Sequence, residues 1–296
     1  MPRLIFSRKG FDSGWGGKPS PILPDGKLIS LPIPDPGSEL TYDDCFAANG
    51  DTFASLLRRL GIDHVRVPTG GGRTERIALA DKPGCHLDPD LDRAAMPRRE
   101  SWRPAFGQVG ASQTHLANHG VGPGDVFLFF GWFCPVRDEG DRLRYLGRAQ
   151  QVQALWGWME IGDVVALDVE SPPPWASAHP HVASRHLSRY QRNNTLYLAA
   201  VASTAFPGAA GAGRFRWSDA TRLTRHGSTP SVWELPGCFH PASSTSRLSH
   251  HGDSAWDLIE GRAVLRSARI GQEFVINMTD DMHAWTQALI GRTVTP

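Results

Sequence analysis

The sequence has no excess of charge of either sign. Its 31 Lys and Arg residues nearly balance 30 Asp and Glu, for a formal net charge of +1. A protein that grips duplex DNA over a long footprint usually carries a clear basic excess. That class is disfavoured here, and only a local basic patch stays open. Cysteine is also scarce: Cys45, Cys85, Cys134 and Cys238 lie far apart, with no CxxC pair. A disulfide framework, a zinc ribbon and a thioredoxin-like redox pair are therefore not expected. No apolar run approaches the ~20 residues that span a bilayer. The N-terminal MPRLIFSRKG lacks the apolar core of a signal peptide, so a cytoplasmic protein is expected, with no membrane partner. The GxGxxG, P-loop, GxSxG and HEXXH patterns are missing. So are internal repeats, heptads and low-complexity tails.

Glycine, proline, histidine and tryptophan are plentiful. The 296 residues include 31 Gly and 23 Pro, which imply many turns and long irregular connections. The most distinctive stretch is FSRKGFDSGWGGKPSPILPDGKLISLPIP, residues 6–34. Gly10, Gly14, Gly16 and Gly17 interleave with Arg8, Lys9, Asp12 and Ser13. Glycines permit φ > 0, and successive N–H groups in such a loop can cradle an anion. Pro24-Asp25-Gly26 then reads as the turn of a hairpin between Ile22-Leu23 and the apolar run 28–33. Arg8 and Lys9 would hold an anionic group, and Asp12 would act as base or ligand.

The remaining pattern predicts strands over 3–7, 62–67, 126–133, 164–169 and 196–202, and one or two over 263–278. It predicts helices over 51–60 with Asp51 as cap, 111–119, 148–158 and 281–290. Residues 69–72 read as a flexible turn, 92–107 as a loop and 229–241 as a surface wrap. Irregular alternation of these elements points to an α+β (or α/β) fold. We expect one catalytic-type domain, residues 1–296, built on a mixed, largely buried sheet with long functional loops.

Two histidine-containing stretches suggest a metal. In His86-Leu87-Asp88, on an extended segment, residues two apart share a face, and Asp90 would add an oxygen or hold a second ion. In His179-Pro180-His181, proline is expected to keep the segment extended so that both imidazoles converge on one ion. Asp168 and Glu170 would serve as ligands, as outer partners or as plain solvated carboxylates. His115 and His119 share a helix face, and His240, His250 or His251 would complete a site. The segment RFRWSDATRLTRH, 214–226, mixes Arg214, Arg216, Arg222 and Arg225 with Phe215 and Trp217, a combination that can hold a nucleotide or a single strand.

Four of these segments, 6–34, HLDPDL (86–91), VFLFFGWF (126–133) and HPH (179–181), resemble the nucleotide modification associated domain 3 family of bacteria and phages. The resemblance covers nearly the whole chain. It implies an α+β domain and an enzyme acting on nucleotides or nucleic-acid bases. It carries over to Asp12, Ser13, Gly16, Gly17, His86, Asp88, Asp90, His179 and His181. The leading expectation is a metal-dependent enzyme, with iron favoured over zinc or manganese, performing oxidative or transfer chemistry on a nucleotide or base. His86, Asp88, Asp90, His179 and His181 are the candidate ligands. Asp12, Ser13 and Lys9 are catalytic candidates, and Arg8, Gly16, Gly17, Trp132 and Arg216 substrate-binding ones. Alternatives are iron-dependent modification of a peptide or small metabolite, a binding module for modified nucleotides that uses Trp15, Trp132 and Trp217, and metal-independent transfer over a phosphate cradle.

Overall fold

The structure, a computed structural model, describes residues 2–70, 73–147, 150–268 and 273–293. The fold is α+β. Its central sheet orders Glu273–Asn277, Arg3–Arg8, Val126–Asp138, Val152–Ala166, Thr195–Ala199 and Ala105–Gln108 side by side, and three short strands attach to it. In chain order these strands are β1 (Arg3–Arg8), β2 (Ser20–Ile22), β7 (Ala105–Gln108), β8 (Val126–Asp138), β9 (Leu143–Tyr145), β10 (Val152–Ala166), β11 (Thr195–Ala199), β12 (Ala212–Arg214) and β16 (Glu273–Asn277). The sheet is mixed: β1 and β2 run parallel to β8, and the other pairs are antiparallel. Its middle strands read as continuous apolar runs because both faces are covered.

On one face Leu4, Phe6, Leu128 and Phe130 pack with Trp233 and Leu265 of a three-stranded sheet and with Met282 and Leu289 of α4 (Asp280–Ile290). That small sheet is β13 (Val232–Pro236), β15 (Arg262–Arg266) and β14 (Trp256–Ile259), in this order. On the other face Ile5, Phe127 and Phe129 pack with Phe106 and with Leu116 of α2 (Gly110–Asn118). A third cluster gathers Phe11, Leu31, Tyr42, Val65 and Val136 around α1 (Phe53–Arg59).

Several expectations need correction. The helix expected over 148–158 is instead the first part of β10; Arg148 itself lies outside the described residues. The ladder with β8 shifts register between Leu155 and Gly157. Ala154 and Trp156 therefore share a core with Met159 and Ile161, while Leu155 shares the opposite core with Trp158. This bulge breaks the period of two and leaves an apolar run that periodicity cannot separate from a buried helix. The strand expected over 164–169 is the end of β10, not an element of its own. Residues 229–241 are not a plain wrap, because they contain β13. Helix α1 is capped by Thr52, whose Oγ1 accepts from Ser55 N (3.1 Å), whereas Asp51 pairs with Arg59 at 2.8 Å.

The hairpin turn forms, with Leu23 N on Lys27 O (2.9 Å) and Ile22 bridged to Leu28. Its second arm then leaves: β3 (Ile33–Pro34) pairs with β6 (Cys85–His86). Strand β4 (His64–Gly70) pairs with β5 (Arg73–Ala78) as a separate ribbon. Gly71 and Gly72 of the expected turn lie outside the described residues. No described helix is long and apolar enough to cross a membrane.

The Gly-rich loop between β1 and β2 is tied down rather than open. Asp12 Oδ1 accepts from Gly14 N and Trp15 N, both at 2.7 Å, as an Asx turn does. Gly16 N donates to Arg66 O and Gly17 N to Asp12 O. The Gly14, Trp15 and Gly17 amides are spent within the loop and the Gly16 amide on β4, so the expected anion cradle is not formed. Gly16 sits at φ +77°, and a Cβ there would lie 2.2 Å from the buried Phe11 ring. Gly16→Ala is expected to destabilise the protein by ~2–4 kcal/mol through positive φ and overpacking. An unchanged urea midpoint for this variant would show that the loop is slack after all.

Candidate metal centre

Three strand ends and one helical turn converge beside this loop. β6 carries His86, and the chain leaving it turns sharply, with Asp88 N on His86 O (3.0 Å). Gly107 on β7 donates its N–H to Asp88 Oδ1 (2.9 Å). His181 seats on Gly107, where a Cβ would lie 2.2 Å from the imidazole, so a larger residue would push the ring out. His179 and His181 do not lie on an extended segment. His179 caps the short helix α3 (Pro180–Ala183), because Pro180 occupies the first helical position, where its fixed φ suits a helix.

Asp88 is the hub. Its Oδ2 lies 3.5 Å from His86 Nε2 and 3.6 Å from His181 Nε2, and its Oδ1 lies 3.3 Å from His179 Nε2. One donor atom each from His86, Asp88 and His181 falls within 4.8 Å of the other two. The outer partners fix the rings. His181 Nδ1 meets Asn194 Oδ1 at 2.7 Å, and Asn194 Nδ2 donates to His181 O at 2.9 Å. The amide orientation thus puts the proton of neutral His181 on Nδ1 and leaves Nε2 a lone pair. His86 Nδ1 faces Asp35 Oδ2 (3.5 Å) and the Tyr190 hydroxyl (3.3 Å), so its Nε2 also turns to Asp88. His179 differs. Its Nδ1 accepts His181 N–H (3.3 Å), so its proton sits on Nε2, beside Asp88 but out of line for a hydrogen bond. His179 therefore positions Asp88 and presents no free donor atom.

The electrostatics follow from burial and from each other. Burial would raise the Asp88 carboxyl, but the His179, His86 and His181 imidazoles that face it hold it well below the usual range. Burial pushes His181 down to about 3, so it is a neutral imidazole. Burial also opposes charge on His86, yet Asp35 and Asp88 outweigh it and raise its pKa. Asp35, against burial, is lowered to about 2 by His86 and Arg189.

The site opens on a cavity of about 450 Å³ lined by Asp35, His86, Asp88 and His181 and by Arg8, Lys9, Asp12, Trp15, Arg189 and Tyr190. The Lys9 ammonium is engaged there with buried Glu273 (2.8 Å) and over the Phe106 ring (4.5 Å). Arg8 and Asp12 line both this cavity and a second one of about 540 Å³, which Ser13 and Trp132 also line. Gly16 and Gly17 give the loop its shape.

Other candidates lie elsewhere. Asp90 is not part of the cluster: it pairs with Arg98 at 2.5 Å, accepts from Trp102 Nε1 at 3.3 Å and bridges Ala105. Arg216 donates to Asp25 O (2.9 Å) away from both cavities, and Arg214 pairs with Asp92. Asp168 and Glu170 are exposed. His115 stacks on His250 at 4.2 Å and meets the tilted His119 ring at 4.3 Å, and burial lowers it to about 4.

Asp35, Gly107, Arg189, Tyr190 and Asn194 escaped the sequence reading. Asp35 sits in a Pro-rich stretch and Asn194 in a polar loop, so neither carries a local signal. Their roles come from chain segments far away.

The donor set fits a divalent transition ion. Separations of 3.5 and 3.6 Å are long for hydrogen bonds. They are close to the ~3.4 Å between donors about 2.1 Å from a shared tetrahedral ion. Two imidazoles and one carboxylate leave coordination positions open.

A family model described as nucleotide modification associated domain 3 matches residues 3–277. No curated protein and no solved structure matches significantly.

Proposed function

This chain belongs to the nucleotide modification associated domain 3 family, and on that premise we propose that it is a metal-dependent enzyme acting on a nucleotide or nucleic-acid base. His86, Asp88 and His181 hold the ion, and two histidines with one carboxylate favour iron. When bound, such an ion supplies Lewis acidity and, if iron, redox chemistry at its open positions. The observation that carries the reading is the pairing of each ligand imidazole with an outer oxygen at Nδ1, so that both Nε2 atoms meet at Asp88. Carboxylate and amide partners of this kind orient metal-binding histidines.

The other groups of the cavity bind substrate. Arg8 and Arg189 supply positive charge for a phosphate. Tyr190, pushed up to about 12 mainly by burial, keeps its proton beside His86 as a donor. The near-neutral surface favours a free nucleotide or a short strand over a long duplex.

The test is metal content after anaerobic purification. About one equivalent in the wild type, lost in folded His86→Ala and His181→Ala variants, is the expected result. Equal metal in the variants, or none in wild type after loading with Fe(II), would overturn the proposal. Asn194→Ala should weaken the ion by about 10–100-fold without unfolding the chain. An unchanged affinity in that variant would remove Asn194 from the site.

A further inference from the structure

We infer that the second cavity holds the heterocyclic base of the nucleotide, while the reacting group reaches past Arg8 and Asp12 to the metal centre. This rests on the nucleotide reading above. The two cavities adjoin at Arg8 and Asp12, which line both. A volume of about 540 Å³ is ample for a base and its sugar.

The walls carry the chemistry of base recognition. Trp132 on β8 and Gln153 on β10 are register partners, so their side chains emerge side by side from one face of the sheet. Gln151, two residues earlier, lines the same cavity. The half-buried Trp132 indole offers a stacking surface, which every base can use. Gln153 Oε1 is buried and has no hydrogen-bond partner among the described residues. Ser267 Oγ, which lines the same cavity, is in the same condition, although its backbone is held by Ser231 O at 2.8 Å. A buried carbonyl oxygen without a donor is costly, and native proteins seldom keep one idle. Gln153 Oε1 wants an N–H, and its amide also has a donor to offer. Adjacent donor and acceptor on a flat ring is what a base edge presents, and glutamine pairs with such edges. The metal centre uses none of Trp132, Gln151, Gln153 or Ser267.

The experiment is titration of the metal-loaded protein with the ribo- and deoxyribonucleoside monophosphates of the common bases, and with deoxyribose 5-phosphate, read by calorimetry and tryptophan fluorescence. At least one nucleotide should bind with a fluorescence change, and deoxyribose 5-phosphate at least about 10-fold more weakly. Trp132→Ala should weaken the nucleotide by about 5- to 100-fold. Gln153→Leu should change the order of preference among bases. Neither variant should alter metal content. Failure of every nucleotide to bind overturns the inference, as does equal binding by sugar phosphate or by both variants. In each of those cases a wild-type metal content leaves the metal proposal standing. Conversely, base-dependent binding that needs Trp132 in protein that takes up no metal would support this cavity and defeat the metal reading.

Discussion

Asp88→Asn is expected to lower affinity for Fe(II) or Co(II) by more than about 100-fold, beyond the loss that outer partners cause. The side chain is only 3% exposed and is the point on which three histidines converge. Asparagine keeps the size, and its carbonyl can still accept from Gly107 N. It removes the negative charge that would offset an ion held between the two imidazoles. The fold should survive, because the amide N–H can donate to the lone pair of His181 Nε2. Asp90→Asn is the matched control. Asp90 is equally buried but pairs with Arg98. Its loss should leave Arg98 without its anion and lower stability, with metal affinity unchanged. Anaerobic titration monitored by Co(II) absorption separates the two. Equal affinity in Asp88→Asn and wild type would sink the assignment of the centre.

The second large effect concerns Lys9. Its ammonium lies 2.8 Å from Glu273 Oε1, with the two side chains 10% and 1% exposed. Gln108 Nε2 donates to the same oxygen at 2.6 Å, and Glu273 Oε2 has no partner among the described residues. Lys9→Met would strand a buried carboxylate with one amide. The cost is expected to be about 3–5 kcal/mol, which for a chain of this size lowers Tm by roughly 6–20 °C. Glu273→Gln in the Lys9→Met background removes the stranded charge and should recover most of the loss. A Tm within 2 °C (about 1 kcal/mol) of wild type for Lys9→Met would mean the pair contributes little. The double variant also separates two roles for Lys9. If it binds substrate, affinity stays low after stability returns.

Much of the scaffold is legible in the sequence. The apolar runs of β1 and β8, the helices α1, α2 and α4 and the Asp25-Gly26 turn follow from short-range pattern, because period and turn chemistry are local properties. β10 defeats the same local pattern, because one bulge reverses the parity of its side chains. His86, Asp88 and His181 carry metal-binding chemistry in their residue types. The spacing alone treated Asp88 and Asp90 alike, since alternate residues of a straight strand share a face. The chain is not straight there. It turns at Asp88, and Asp90 then bridges Ala105 and faces Arg98.

The sequence by itself determined the α+β class, the Gly-rich loop beside a hairpin, two histidine motifs and the family. Only tertiary structure decided which of those side chains meet. It placed Asp35 behind His86 and Asn194 behind His181, turned His179 into a support for Asp88, and tied the loop's amides to Asp12 and β4. The physical reason is that a ligand's tautomer and direction are set by its second nitrogen. The partner of that nitrogen arrives from a distant segment with no local pattern to announce it.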